Sequence, residues 1–319
     1  MDTTRSAITI GVFDGVHLGH RALLERARAR AGDGPVLAMA FDPHPRAVLR
    51  PDAPAPPPLT TFDRRADLLL DAGADEVLRL EPTPELLALA PEAFVDQMLM
   101  PHAPAAVVEG PDFRFGARRA GGVDTLAELG RARGFAVEVA EPVEVDLHDQ
   151  SLVRASSSIA RWLVSYGRVA DAARVLGRPY ELAGAVVRGD RRGRTIGFPT
   201  ANIEASTLRP AEGVYACLAV LPDGRSCAAA ANIGSRPTFD GTEPRVEAHL
   251  IDAPSDGDAI AGLPEYGWQV RLQFQAYLRD QVRFGGVDAL AGQLARDRDR
   301  ALRVIESLAA YREDGDVPA

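Results

Sequence analysis

Ile8-Thr9-Ile10-Gly11-Val12-Phe13-Asp14-Gly15-Val16-His17-Leu18-Gly19-His20 carries the pattern on which the architecture of the first half rests. A short β-branched run stops at two glycines, and His17 and His20 then open a helical pattern through Leu23, Leu24 and Ala27. That order predicts a strand, a tight turn and a helix. Glycines let an anion approach the backbone, and the free N–H groups and positive end of a new helix attract it, so a phosphate site is implied. If the helix begins near Val16, His17 and His20 project on one side at i and i+3. A pair of imidazoles placed so can donate to phosphate oxygens and follow the charge that builds on a phosphorus under attack. Taken alone, the same spacing also describes two helix-surface histidines.

The 319 residues around it are too many for one ordinary core and predict two domains. With 46% hydrophobic and 25% charged residues, the chain reads as soluble and globular, not disordered. A formal charge of −9 gives no general basic footprint, so nucleic acid is not expected as a partner. No stretch reaches the length of a membrane span, and Met1 to Ser6 leads into the motif without a secretory apolar region. No membrane partner is expected, and the cytoplasm is the expected location. Cys217 and Cys227 flank Pro222-Asp223-Gly224 and could face each other on a hairpin. Two cysteines make neither a disulfide framework nor a metal-ligand spacing, so free thiols are expected. The oligomeric state is left open.

Along the first half, apolar runs predict strands at Val36 to Phe41, Glu76 to Leu80, Ala105 to Val108 and Ala136 to Val139. Between them, helices are predicted around Leu68 to Leu70, over Pro91 to Met100 and over Val123 to Arg133. The alternation argues for a doubly wound parallel sheet, with ligands at the carboxyl ends of the strands. Two such ends carry chemistry. Asp42-Pro43-His44-Pro45-Arg46 places a histidine on a proline-stiffened loop, either as a ligand residue or as a turn cap. Gly110-Pro111-Asp112-Phe113-Arg114-Phe115-Gly116 mixes aromatics, acid and arginine, which suits a planar ring beside a phosphate. Further on, Ser156-Ser157-Ser158-Ile159-Ala160-Arg161 opens a helix with three hydroxyls and an arginine that can cap it or close around a triphosphate.

After Val169 to Leu176, read as helix, and a join at Arg178-Pro179-Tyr180, the periodicity changes from 3.6 residues to two. Short apolar runs at Leu182 to Val187, Gly213 to Leu221, Ala228 to Ile233, Val246 to Ile251 and Val270 to Phe274 predict a mainly antiparallel β-barrel or sandwich. Val287, Leu290, Leu294, Ala301, Ile305 and Leu308 predict a closing helix, with an acidic tail from Glu313. The informative stretch is Gly189-Asp190-Arg191-Arg192-Gly193-Arg194-Thr195-Ile196-Gly197-Phe198-Pro199-Thr200-Ala201-Asn202. It reads as a loop that can wrap phosphates, with Thr200 and Asn202 offering oxygens suited to Mg²⁺, or as a basic surface hairpin. Glu247 lies between Val246 and Ala248 on an alternating strand, so its side chain faces opposite to theirs.

These blocks, in order, resemble the bacterial bifunctional riboflavin kinase/FAD synthetases, which are H-x-G-H nucleotidyltransferases joined to a kinase domain. The signatures are G-x-F-D-G-x-H-x-G-H at residues 11–20, F-D-P-H-P at 41–45, G-x-D-F-x-F-G at 110–116 and P-T-A-N at 199–202. The resemblance implies an α/β nucleotidyltransferase domain over residues 1–180 and a riboflavin kinase barrel over 181–319. It implies that riboflavin and ATP give FMN, and that FMN and ATP then give FAD and pyrophosphate.

By the same resemblance, His17, His20 and Arg161 position and stabilise the adenylyl transfer. Gly11, Phe13, Asp14, Gly15, Gly19, Ser156, Ser157 and Ser158 bind ATP there, and His44, Pro45, Asp112 and Phe113 hold the flavin. In the kinase, Gly189, Arg194, Gly197 and Pro199 hold phosphates, Thr200 and Asn202 hold Mg²⁺, and Glu247 is the general base. Three departures stand out. Ser158 replaces threonine, Ala160 replaces isoleucine, and Gln281 replaces glutamate in Arg279-Asp280-Gln281, where no role is assigned to it. Two alternatives remain at this point: another H-x-G-H nucleotidyltransferase fused to a flavin-binding, non-catalytic barrel, and a non-catalytic flavin sensor. Intact P-T-A-N and Glu247 count against the first, and the retained His17, His20 and Thr200 against the second.

Overall fold

The structure, a computed structural model, describes residues 5–53, 55–189, 197–238, 241–256 and 259–313. The chain divides into two compact units, Met1–Pro57 with Phe62–Ser157, and Pro58–Thr61 with Ser158–Ala319.

The first unit runs β1 (Ser6–Gly11), α1 (Leu18–Ala31), β2 (Val36–Phe41), α2 (Arg46–Leu49), α3 (Phe62–Asp71), β3 (Glu76–Leu80), α4 (Pro84–Leu87), α5 (Pro91–Phe94), β4 (Pro104–Glu109), α6 (Val123–Arg133) and β5 (Ala136–Val139). A small hairpin of β6 (Glu144–Asp146) and β7 (Leu152–Arg154) follows. The five strands are parallel in the order β3-β2-β1-β4-β5. Alternate side chains serve opposite faces. Ala7, Ala38 and Val108 pack with Leu24 and Ala27 of α1 and Leu68 and Leu69 of α3. Ile8, Ile10, Leu37, Met39 and Val107 pack with Phe94, Leu99 and Leu126 on the other face. Burial on both faces is why these strands read as continuous apolar runs, and it makes the sheet doubly wound as expected. Chain order reverses between β1 and β4, which is where such sheets bind ligands.

The helix expected over Pro91 to Met100 is broken up. After α5 the backbone widens into a π-helical turn, Val95–Leu99, and tightens into a 3₁₀ turn, Met100–His102. The wide turn keeps Phe94, Val95 and Leu99 all buried, and Pro101 lacks the N–H an α-helix would need.

In the second part, α7 (Ser157–Ser165) and α8 (Val169–Leu176) precede a closed barrel of β8 (Tyr180–Val187), β9 (Ala201–Ala205), β10 (Gly213–Val220), β11 (Ser226–Thr238), β12 (Gly241–Leu250) and β15 (Gln269–Arg279), with the short pair β13 (Ser255–Asp256) and β14 (Ala259–Ile260) between the last two. The barrel order is β10-β11-β12-β9-β8-β15, antiparallel throughout. Tyr215, Cys217, Ala231, Val246, Ala248 and Phe274 fill its interior. α9 (Val287–Glu313) packs outside, where Ala301 meets Val214, Ala216 and Leu278. The acidic tail expected beyond Glu313 lies outside the described residues. α8 packs on β15 and β8. Cys217 and Cys227 are free thiols set diagonally across β10 and β11, since Cys217 pairs with Ala229 and Cys227 with Ala219.

Candidate active sites

Beyond β1 the chain turns sharply. Phe13 and Val16 hold left-handed backbone angles (φ 53° and 39°) while both are almost fully buried. That conformation is costly for a β-branched residue and persists only where packing over-determines it, as at ligand loops. α1 starts at Leu18, not near Val16, and His17 is its N-cap. The paired geometry survives the shift, because an N-cap and the third helical residue lie over one another. The rings of His17 and His20 stack with centroids 3.6 Å apart, and Phe13 meets His20 edge-on at 5.1 Å. Gly19 between them keeps the turn tight, since a Cβ there would lie 3.1 Å from the His17 ring and 3.3 Å from the Ala155 carbonyl oxygen. The Ser157 hydroxyl donates to the Asp14 carbonyl at 2.7 Å, which ties that serine to the same loop. Ser156 is half-buried and Ser158 exposed, and Arg161 lies on α7. No acid occupies the first turn of α1, so two stacked imidazoles and a helix N-terminus form a surface fit for a phosphate.

At the carboxyl ends of the same strands lies a cavity of about 810 Å³. Gly11 lines it from β1, and the four expected flavin residues, His44, Pro45, Asp112 and Phe113, all line it. Phe113 and Phe115 stack at 5.5 Å, with planes 16° apart. Both readings of His44 hold together, for its Nδ1 accepts from the Arg46 N–H at 3.1 Å while the residue lines the cavity. Asp112 is ion-paired with Arg154. A basic set missed from the sequence also borders the space: Arg46 and Arg50, one helical turn apart, and Arg118 and Arg119, both left-handed. Aromatic walls with guanidinium groups at the rim suit a planar ring that carries a phosphate.

One buried acid also escaped the sequence reading. Glu109, at the end of β4, is 2% exposed and accepts the Ile10 N–H at 2.6 Å. Burial pushes its carboxyl well above the usual range, partly offset by that hydrogen bond. It joins β4 to β1 just past Ile8 and Val107, where their ladder has ended.

In the barrel, three polar residues form a row across adjacent strands. Glu247 on β12 is directly opposite Asn202 on β9 and Asn232 on β11. Val246 and Ala248 point into the core, so alternation turns Glu247 outward, where its side chain is 33% exposed. Asn202 thus belongs to a strand, whereas the sequence placed it in a phosphate loop. Gly189 lies so close that a Cβ would fall 2.0 Å from Asn202 Nδ2. His249 Nδ1 is 2.8 Å from the Pro199 carbonyl oxygen, and its ring meets Phe198, which ties down the segment carrying Pro199 and Thr200. Gly197 is left-handed (φ 81°), as a glycine allows. Residues 190–196, with Arg194, lie outside the described residues.

Gln281 does take part, although the sequence assigned it no role. Its Nε2 donates to the Ile233 carbonyl at 2.8 Å and to Asn232 Oδ1 at 3.0 Å. Arg279, two residues before, is held by Asp297 of α9 at 2.6 Å.

The FAD synthetase family matches residues 1–153, and the riboflavin kinase family matches residues 176–305. The chain is 35% identical to the bifunctional riboflavin kinase/FMN adenylyltransferase of Escherichia coli (strain K12) over 294 residues, covering 91% of this chain and 90% of that one. With the Pseudomonas fluorescens relative of the same name it shares 36% over 309 residues, 95% and 94% of the two chains. The chain belongs to the bifunctional riboflavin kinase/FMN adenylyltransferase family.

A crystal structure of a macrolide-efflux protein from Streptococcus pneumoniae matches with a TM-score of 0.80 at 29% identity, over 94% of each chain. As a member of the riboflavin kinase/FMN adenylyltransferase family, the chain is an enzyme with two activities, each with ATP as co-substrate. A binding-only barrel is set aside, because the riboflavin kinase match runs from α8 into α9. Among the described residues no helix is long and apolar enough to cross a membrane.

Proposed function

We propose that riboflavin is phosphorylated on the row Asn202, Glu247 and Asn232, and that FMN is adenylylated between the His17–His20 loop and the cavity at the ends of β1, β2 and β4. The groups for the first reaction lie within residues 181–319, whose barrel also needs α8 packed on it, and those for the second within residues 1–180. The observation that carries this reading is the direct opposition of Glu247 and Asn202 across β12 and β9.

In the kinase step the 5′-hydroxyl of riboflavin attacks the γ-phosphorus, its proton passes to a Glu247 oxygen, and ADP leaves. Gly189, Gly197 and Pro199 hold the chain close to the triphosphate. Mg²⁺ fits the donor set, since the Thr200 hydroxyl and the Asn202 amide are hard oxygen ligands and this ion takes few protein ligands beside waters and phosphates. When bound, it neutralises charge on the triphosphate.

In the second step an FMN phosphate oxygen attacks the α-phosphorus and pyrophosphate leaves. That nucleophile is already ionised, so no protein base is needed. His17 and His20 donate to the phosphoryl oxygens, the N-terminus of α1 adds its dipole, and the cavity orients the isoalloxazine between Phe113 and the loop of His44. A cytoplasmic location is part of the same reading and is supported by the two free thiols, which suit a reducing compartment.

Purified protein incubated with riboflavin, ATP and Mg²⁺, and followed by chromatography, tests the whole. FMN should form first and FAD after it, and a chelator should stop both. Accumulation of FMN with no FAD, or unchanged rates in the chelator, would contradict it.

A further inference from the structure

The ladder between β1 and β2 ends at Gly11 and Ala40, where each strand gives way to a ligand loop. A single buried side chain takes over there. Arg65 of α3 is 4% exposed. Its Nη1 donates to the Val12 carbonyl at 2.6 Å and the Phe41 carbonyl at 3.2 Å, and its Nη2 to Asp42 Oδ1 at 2.7 Å. The other oxygen of Asp42 is paired with Arg79, and the Phe62 ring lies near both guanidinium groups, at 5.4 and 4.7 Å. Val12 leads to His17, and Asp42 leads to His44, so one guanidinium spans the roots of both loops.

We infer that Arg65 is a positioning residue of the FMN adenylyltransferase, setting the distance between the loop that holds ATP and the loop that holds flavin. The inference rests on the assignment of those loops made above. A planar fork reaches three oxygens at the ends of two strands at fixed angles, which the point charge of lysine cannot do. Burial keeps that geometry from exchanging with water. Arg79 meets Asp42 and the Phe62 ring, neither of them on the loop after β1, and is 58% exposed, so it steadies one loop and not the other.

The test is steady-state FAD formation by full-length Arg65→Lys and Arg79→Ala, with riboflavin phosphorylation by the same preparations as the internal control. Arg65→Lys should raise KM for both ATP and FMN and lower kcat/KM by about 10- to 100-fold, the scale of an ångström-sized misplacement, with kinase parameters unchanged. Arg79→Ala should raise KM for FMN alone. A structural role without positioning would instead lower kcat in proportion to folded enzyme, with both KM values intact. That result, or wild-type kinetics in Arg65→Lys, overturns the inference. If Arg65→Lys does not fold, Asp42→Asn decides, because it loosens only the flavin side. A rise in KM for FMN larger than that of Arg79→Ala then supports the inference, and a rise no larger than that overturns it. Absence of FAD formation by the unaltered chain would overturn the site assignment itself, a separate outcome.

Discussion

Glu247 and Asn202 are direct cross-strand partners of β12 and β9, and this pairing places a carboxylate beside the amide of the P-T-A-N segment. Residues so paired have Cβ atoms about 4.5–5.5 Å apart, close enough for a substrate hydroxyl and a phosphate-bound cation to meet between them.

The glycine beside that pair has a steric consequence. A Cβ on Gly189 would fall 2.0 Å from Asn202 Nδ2, so Gly189→Ala must push the amide off the row. Riboflavin phosphorylation should drop by roughly 10²-fold, the effect of an ångström-scale displacement, while FAD formation from added FMN stays as it was. Stopped assays of the two reactions check this. Normal kinase activity in the variant would mean that Asn202 is not held against Gly189.

The two activities should be separable, but the cut matters. Val169, Val175 and Leu176 of α8 are buried, and α8 packs on β15 and β8. Each large apolar side chain is worth roughly 1.5–3 kcal/mol, so together they rival the 5–15 kcal/mol of a typical domain. A chain of residues 158–319 should melt cooperatively and make FMN, whereas one of 181–319 should melt far lower or not fold. Equal melting curves would show that α8 does not support the barrel.

Much of this organisation is legible in the sequence, and the exceptions have physical causes. β2, β3 and β5 are apolar runs closed by proline, glycine or charge, and they stand where the runs stand. β9 is not readable, because Ala201, Ile203 and Ala205 alternate with Asn202 and Glu204 over one short strand, and alanine gives little apolar contrast. The row Asn202, Glu247 and Asn232 is created by strand register, so spacing along the chain cannot reveal it. Gln281 looks like a lost charge until its amide is seen on the Ile233 carbonyl. Glu109 reads as an acid at an exposed strand end, and only the fold shows that it is buried.

That buried acid makes stability depend on pH. The folded Glu109 carboxyl holds its proton above the ordinary glutamate value of about 4.3, while the unfolded one does not. Between those two values the folded state binds more protons, so stability falls as pH rises. Glu109→Gln keeps an acceptor for the Ile10 N–H and removes the titration. Its melting temperature should therefore exceed the wild-type value increasingly toward neutral pH and meet it near pH 4. Parallel profiles in a pH series of melts would rule out Glu109 as the source.

The histidine pair supplies the matching test in the first unit. His17→Ala with His20→Ala removes both rings of the 3.6 Å stack. FAD formation from supplied FMN should fall by at least about 10²-fold, the lower range for losing groups that stabilise transition-state charge, with FMN formation near normal. Equal loss of both activities would point to a shared site.

The proposed mechanism gives the chain two sites for two kinds of phosphorus chemistry, only one of which needs a base. Glu247→Gln tests it most directly, being nearly isosteric yet unable to take the proton of the riboflavin hydroxyl. The measurement is the turnover of riboflavin phosphorylation at saturating substrates, beside riboflavin affinity and adenylylation of added FMN. Turnover should fall by roughly 10²- to 10⁴-fold, the usual range for an acid–base group, with flavin affinity and FAD formation unchanged. Wild-type kinase turnover in this variant would remove Glu247 from the mechanism, and a loss confined to riboflavin binding would make it a recognition residue instead.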